Sequence, residues 1–468
     1  MEKRKIDRIE FLLIILFVFL YSLAASLVSL NRYWQYNAFW YDFGILDTTI
    51  WKLSRFQFPF ISQLNPPFGK IVWADHFNPS VIFLSPLYWF TKKPEIILIS
   101  QSLFVGLSAC VAYLMAQKFI KNRIVRISLI VSFLGYVGLQ NALYTDVHNI
   151  VFSLFPLMLT LWAMYQKKWK LYWIFLIITT GFQENMAVLA IMLGLFLLLK
   201  KEKEVKVGLL TILFGFIYVL LATKILIPFL GGNYVYQPAV PHVWYEWITR
   251  FFYPTGIKFR SIILTFATFG FLPIASFASF PLIIEHYLER FVLNTAATRW
   301  DLGFHYNALL SPIMFLSSLE LIIRIQKSTV LKKFLSFWAL GTICIVVFLH
   351  RFYLHGPLML ATHPVFYQET QDAKFLDRFI SQIPRSGLLM TQNNIAAHFT
   401  HGNTILLNKN YEIIKPDAIA VDLRDGQNAN NFFPLSFSET NFLVASVSAD
   451  LNYEKKSVTD SEIIFIRK

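Results

Sequence analysis

The chain has 468 residues, of which 56% are hydrophobic and only 15% charged, whereas an ordinary soluble domain carries charge on about a quarter of its residues. Apolar runs of spanning length recur from residue 10 to residue 350, more than one soluble core could bury, since single cores stop growing at about 250–300 residues. The net charge of +14 does not call for nucleic acid, because Lys and Arg cluster at the ends of the apolar runs, where topology and anionic headgroups place them.

A basic start (Lys3, Arg4, Lys5, Arg8) precedes an apolar stretch from Glu10 to Leu30. It is long for a signal-peptide core and lacks a small-residue cleavage site, so an uncleaved first span at about 10–30 is expected. Further spans are expected at about 96–117, 126–143, 150–166, 170–182, 186–200, 206–228, 260–274, 276–288, 306–323 and 333–350. With eleven spans, the basic clusters at the N-terminus, Lys118–Arg126, Lys167–Lys170, Lys200–Lys206 and Arg324–Lys333 all face the cytoplasm. The opposite side then receives the 31–95 loop, Tyr144–Asn149, Gln183–Asn185, Gly231–Gly256, Leu288–His305 and everything after Arg351. Pro273 and Pro281 interrupt the 260–288 stretch, which reads either as two half-helices dipping in from outside or as one kinked span. The hairpin keeps the last basic cluster cytoplasmic and is preferred. Cys110 and Cys344 lie inside apolar spans as packing residues and identify no redox compartment.

From about residue 360 apolar runs shorten to strand length, at Gly387–Thr391, Thr404–Leu407, Ala418–Leu423, Phe442–Val447 and Ile463–Arg467, and Asp372–Ile383 reads as an amphipathic helix. The expected fold is an all-α polytopic membrane protein over 1–350, with a large first extracytoplasmic loop over 31–95 and a small α/β domain over 351–468 outside the membrane.

Ionisable groups near hydrocarbon are costly, so those at span ends carry functional weight. One side collects Asp42 and Asp47, Asp75 and His76, Asp146 and His148, Glu184 and His305. In the first loop Phe43, Leu46, Ile50 and Leu53 recur at helical spacing with Asp47, Lys52 and Arg55 off that stripe. That pattern predicts an amphipathic helix on the outer membrane surface. Asp42 stands just before it, as an N-cap or as a reactive carboxylate. Asp42 and Asp47 are five residues apart, about 140° around a helix, and would not face one another. His76 and His148 each read singly as a cap or a loop residue. Glu184 needs a partner, a cavity or water, and a place near a helix start would also suit it. Together the set suits a divalent cation or a phosphate-bearing substrate, although the spacing matches no metal motif.

The run Tyr41-Asp42-Phe43-Gly44-Ile45-Leu46-Asp47-Thr48-Thr49-Ile50-Trp51 resembles the signature of a prokaryotic family of multi-pass membrane proteins of unknown function. His76-Phe77-Asn78-Pro79 and His305-Tyr306-Asn307-Ala308 match its later elements, while Gln183-Glu184-Asn185 departs from a Lys-Glu-Asp-like element. That family in turn resembles the GT-C class of integral membrane glycosyltransferases, which take sugars from polyprenyl-phosphate carriers outside the cytoplasm. The resemblance implies that Asp42 is the general base. It implies that Asp47, His76, His148, Glu184 and His305 shape the pocket or hold the carrier phosphate, with Arg55 or Arg299 assisting. The implied partners are a polyprenyl-phosphate-linked sugar donor and membrane lipid, with no nucleic acid. A transporter or flippase would want ionisable groups near the midplane and matching broken halves. A non-catalytic scaffold in envelope assembly is the third reading.

Overall fold

A computed structural model describes residues 8–468; the basic start Lys3, Arg4 and Lys5 lies outside the described residues. The chain is mostly helical. In order, the main helices of the first part are α1 Arg8–Trp34, α2 Ile45–Ser54, α3 Glu95–Phe119, α4 Arg123–Gly135, α5 Val137–Tyr144, α6 Leu154–Tyr165 and α7 Trp169–Thr180. They continue with α8 Met186–Leu199, α9 Val205–Leu220, α10 Trp244–Phe252, α11 Thr255–Thr268, α12 Phe280–Phe291, α13 Leu310–Ile325 and α14 Leu331–Phe348. Among the described residues four helices are long and apolar enough to cross a membrane, Arg8–Trp34, Glu95–Phe119, Val205–Phe229 and Leu331–Leu354. Two bent pairs, α4 with α5 at 43° and 297–307 with α13 at 72°, bring the number to six.

Polar contacts gather the basic clusters at one end of the bundle. Arg126 Nε donates to Glu10 Oε1 at 2.7 Å in a buried pair that ties the starts of α1 and α4. Lys121 N donates to Gln326 Oε1 at 2.8 Å. Lys167 Nζ lies 2.7 Å from Glu204 Oε1. A buried pair of this kind adds little net stability, because desolvation offsets the attraction, yet it fixes which helix ends meet.

The stretch over 260–288 breaks between α11 and α12. Phe271 takes a left-handed φ of 59°, and two 3₁₀ turns, Leu272–Ala275 and Phe277–Ser279, follow it. The pieces pack separately, α11 on α14 and α5 and α12 on α8 and α13.

The first-loop helix forms as its periodicity predicts, but not on a membrane surface. Phe43, Leu46, Ile50 and Leu53 are buried against Val81, Leu84, Tyr88, Val147 and Ala397, so protein fills the stripe that lipid was expected to cover. A two-residue antiparallel pair, β1 Phe60–Ile61 and β2 Lys70–Ile71, closes the loop.

At the C-terminus a five-stranded sheet has the order β4-β3-β5-β7-β6, with β3 Leu388–Thr391, β4 Asn403–Leu406, β5 Ala418–Asp422, β6 Tyr453–Ser457 and β7 Glu462–Arg467. β4, β3 and β5 are parallel, and β7 and β6 add antiparallel. The expected helix over 372–383 appears as Phe375–Gln382. The expected strand over Phe442–Val447 is instead part of a helix, Phe437–Ala449. Ser436 and Glu439 form a capping box at its start, and Thr440, Leu443, Val444 and Val447 are buried at i, i+3, i+4 and i+7. β6 was not foreseen, because its Glu454, Lys455 and Lys456 suit a charged edge strand rather than a buried one.

The sheet shares its core with the first loop. Tyr36 packs with Leu376, Phe379 and Leu389, and Trp40 packs with Ala396 and Leu406.

Candidate active site

At the end of the bundle opposite the basic clusters, Glu184 precedes the first turn of α8. Its Oε1 lies 2.8 Å from His76 Nδ1, and its Oε2 accepts from Phe77 N at 3.0 Å. Both carboxylate oxygens are therefore used, and Glu184 is 1% exposed, which answers the need for a partner with an imidazole from the first loop. Burial pulls the His76 imidazole down, but the Glu184 carboxylate and its hydrogen bond outweigh that and hold it above the ordinary histidine range. Tyr236 stacks on the His76 ring at 4.1 Å and donates to Asp75 Oδ2 at 3.2 Å.

His76, Glu184 and Arg299 line one cavity of about 1020 Å³. Gln183 and Asn185 border it as well, so the two departures from the acidic and basic family pattern present neutral amides to the same space. Below this polar mouth the wall is apolar, with Val188, Met192, Leu195 and Leu199 of α8 facing Val219 of α9 and Ile284 of α12. The wall from Val188 to Leu199 is about 16 Å long at 1.5 Å per residue.

Asp42 lies in a π-helical turn, Trp40–Gly44, that runs directly into α2. The helix is preceded by Gly44, with no side-chain cap, so Asp42 is not its N-cap and that reading falls. The residue is exposed, yet enough protein stands around its carboxylate to disfavour the charged form. Burial pushes it up to about 6, against the opposing pull of the Arg299 and His76 charges. Asp146 is pushed up to about 7 by burial and then by the Asp42 charge. Its Oδ1 accepts from Phe39 N at 3.3 Å, which couples it to the segment carrying Asp42. His148 stacks on His305 with ring centroids 3.3 Å apart, and burial pushes the His148 imidazole down to about 3. His305 stands within electrostatic reach of His76, Arg290 and Arg299. The geometry thus draws Asp42, His76, His148, Glu184, Arg299 and His305 into one neighbourhood.

Asp47 and Arg55 lie elsewhere. Asp47 is fully buried, accepts from Thr400 Oγ1 at 2.6 Å and from the Tyr88 hydroxyl, and sits 3.2 Å from His401 Nε2. Thr48 Oγ1 donates to Thr400 O at 2.7 Å beside it. These contacts clamp α2 to the sheet domain. Arg55 stacks on Trp51 at 4.3 Å, and the same Trp51 face system holds His401 at 4.0 Å.

Arg290 was missed by reading the sequence. It is 1% exposed, and none of its three guanidinium nitrogens donates a hydrogen bond. Its nearest anion is Glu289 Oε1 at 3.5 Å. Tyr306 lies between two cations, with Arg299 at 3.9 Å and Arg290 at 5.3 Å from its ring centre. Arg290 falls just past the expected 276–288 span, in the outer stretch Leu288–His305, where no motif marked it. Among the described residues no three His, Cys, Asp or Glu side chains group as a metal site.

The fold and the site define a polytopic helical membrane protein with a lipid-sized cavity whose mouth is lined by charged and imidazole groups. The family described as "Predicted membrane protein (DUF2079)" matches residues 32–460, and the chain belongs to that family. The fold is also similar to that of ArnT from Cupriavidus metallidurans, solved bound to undecaprenyl phosphate, with a TM-score of 0.55 at 8% identity, covering 96% of this chain and 97% of that one. At that identity the likeness is one of fold alone. No curated protein matches the chain.

Proposed function

We propose that the protein is an integral membrane glycosyltransferase that takes a sugar from a polyprenyl-phosphate-linked donor and passes it to a cell-envelope acceptor. The observation that carries this reading is the cavity itself. Its polar mouth holds His76, Glu184 and Arg299, and its body is an apolar channel along α8. A ligand with a phosphate head and a long hydrocarbon tail matches both halves; a free nucleotide sugar would leave the apolar half unfilled.

In this reading Asp42 removes the proton from the acceptor hydroxyl, and that oxygen attacks the anomeric carbon of the donor. The bond from the anomeric carbon to the phosphate oxygen breaks, and the polyprenyl phosphate leaves carrying the electron pair. A carboxylate that titrates near 6 is mostly ionised at neutral pH and still basic enough to share the proton in the transition state. Arg299, which lines the cavity, meets the charge that builds on the leaving phosphate, and the buried Arg290 adds its field from beside Tyr306. His76, fixed by Glu184, supplies a further donor, and His148 with His305 shapes the pocket wall. Asp47, expected from the sequence to hold substrate, acts instead in docking the sheet domain, and Arg55, expected to do the same, stacks on Trp51 of α2.

The membrane part, 1–350, crosses eleven times in this proposal, with the basic end and N-terminus cytoplasmic and the 351–468 domain extracytoplasmic. The functional test is transfer of labelled sugar from a polyprenyl-phosphate donor in membranes containing the full chain. Transfer by the wild type with loss in Asp42→Asn, at equal folded protein, supports the reading. Full activity of Asp42→Asn would remove Asp42 as the base. Substrate uptake into sealed vesicles without covalent product would replace transfer by transport.

A further inference from the structure

A second crevice of about 610 Å³ lies among α1, α4 and α14 and shares no lining residue with the cavity above. Its volume is in the range of small-molecule sites, about 300–1,000 Å³. Tyr21, Leu134 and Val346 represent its apolar walls, and His350, Arg351 and His363 gather at its mouth. No Asp or Glu lines it. Among the described residues Arg351 has no carboxylate partner; its Nη1 rests on Met359 Sδ at 3.1 Å.

His350 supplies a second, independent observation. Gln140 Nε2 donates to Gly135 O at 2.7 Å, which leaves Gln140 Oε1 as the acceptor. His350 Nδ1, 2.5 Å from that oxygen, must then carry a proton. The remaining ring nitrogen, Nε2, is buried without a hydrogen-bond partner, in a side chain that lines the crevice. A buried polar atom without a partner costs about 1–3 kcal/mol, a cost that a ligand headgroup would offset. The backbone around it is closely fitted. A Cβ on Gly135 would stand 2.1 Å from Val346 Cγ1, and one on Gly356 would stand 2.1 Å from Gln140 Oε1.

We infer that this crevice is a binding site for an anionic membrane phospholipid with a hydroxyl-bearing headgroup, its acyl chain between α1 and α14, its phosphate against Arg351 and His363, and a headgroup hydroxyl donating to His350 Nε2. The crevice is continuous with the lipid-facing flank of α14, where Val347 and Phe348 are exposed, so the bilayer is the reservoir from which it fills. The basic mouth without a carboxylate selects an anionic headgroup over a zwitterionic one. Such a lipid would brace the junction at Tyr136 where α4 bends into α5, since Gln140 links that bend to His350.

The test is native mass spectrometry of the full-length protein released from micelles after exchange into phosphatidylglycerol or phosphatidylcholine. The expected result is retention of phosphatidylglycerol over phosphatidylcholine by about tenfold, the worth of one charge-assisted contact. Arg351→Glu combined with His363→Glu should bring retention down to the phosphatidylcholine level, and Ile343→Trp, which fills the wall, should displace both lipids. Should Ile343→Trp fail to fold, the exposed charge reversals decide alone. Equal retention of the two lipids by the wild type, or unchanged retention in the reversed variant, would overturn the site. Displacement of phosphatidylglycerol by equimolar polyprenyl phosphate would overturn the phospholipid assignment in favour of a second isoprenoid site.

Discussion

His76 Nδ1 and Glu184 Oε1 lie 2.8 Å apart although their residues are 108 positions apart in the chain. The pair joins the large first loop to the start of α8 and places an imidazole, its charged form favoured by the carboxylate, at the mouth of the cavity. Removing the carboxylate charge in Glu184→Gln leaves the burial that pulls His76 down without its main opposing influence. Sugar transfer at pH 7 is expected to fall by about 10²-fold, the usual cost of losing one preorganised donor in a transition state. NMR titration of His76 checks the cause, since its pKa must drop in the variant. An unmoved His76 pKa would break the proposed link.

Asp42 sets the pH dependence. As a base that must be ionised, and with its carboxyl pushed up to about 6, it should make transfer rise with pH and reach half its plateau near 6. The linkage runs the other way for stability. A carboxyl raised in the folded state binds its proton more tightly there than when unfolded, so folding is favoured below about pH 4 and loses that contribution as pH rises towards 6. Asp42→Asn is therefore expected to unfold at a slightly higher temperature than wild type at pH 8, by no more than about 1 kcal/mol for so accessible a group, while transfer is lost. A melt and a rate measured on the same preparation decide both.

Arg290 should separate function from stability. Its guanidinium is buried with no hydrogen bond from any nitrogen, and its ion-pair partner Glu289 at 3.5 Å is only half-buried, so removing the buried charge leaves a carboxylate that water can still reach and costs little. Arg290→Met is expected to keep or raise the unfolding temperature and to lower transfer by at least about tenfold. A variant that is both less stable and fully active would show that the guanidinium has only a structural role.

Asp47 should behave in the opposite manner. It holds Thr400 and His401 from the sheet domain and Tyr88 from its own loop. Asp47→Ala strands the buried Thr400 and Tyr88 hydroxyls and takes the carboxylate from half-buried His401, and is expected to cost about 3–5 kcal/mol. Limited proteolysis should then cut earlier between 351 and 468. An undisturbed melt with selective loss of transfer would return Asp47 to the substrate site.

The channel wall offers a steric test. Met192 on α8 lines its apolar part, and Met192→Trp should raise the KM for a long polyprenyl donor by about tenfold, the effect of blocking a few buried methylene contacts. A donor with a truncated tail should be less affected.

Local pattern was enough to locate helices near every apolar run, because spanning length and lipid exposure leave a mark in each segment by itself. The same was true of most C-terminal strands. It failed at Phe442–Val447, where a short apolar run fits either period and the Ser436–Glu439 capping box was the deciding cue. It also failed at α2, whose stripe reads the same whether lipid or protein covers it. Asp42, His76, Glu184 and His305 stood out as costly groups at span ends.

The amino-acid sequence by itself determined that this is a polytopic helical membrane protein with a mixed α/β tail and a store of acids and imidazoles between spans, since each of these follows from composition and short-range period. Only the tertiary structure decided which of those groups meet. Two carboxylates five residues apart, Asp42 and Asp47, part company because a π-helical turn runs into an α-helix between them, and one turns to the cavity neighbourhood while the other turns to Thr400. Arg290 gained its meaning from burial against Tyr306, a contact fixed by the packing of distant segments.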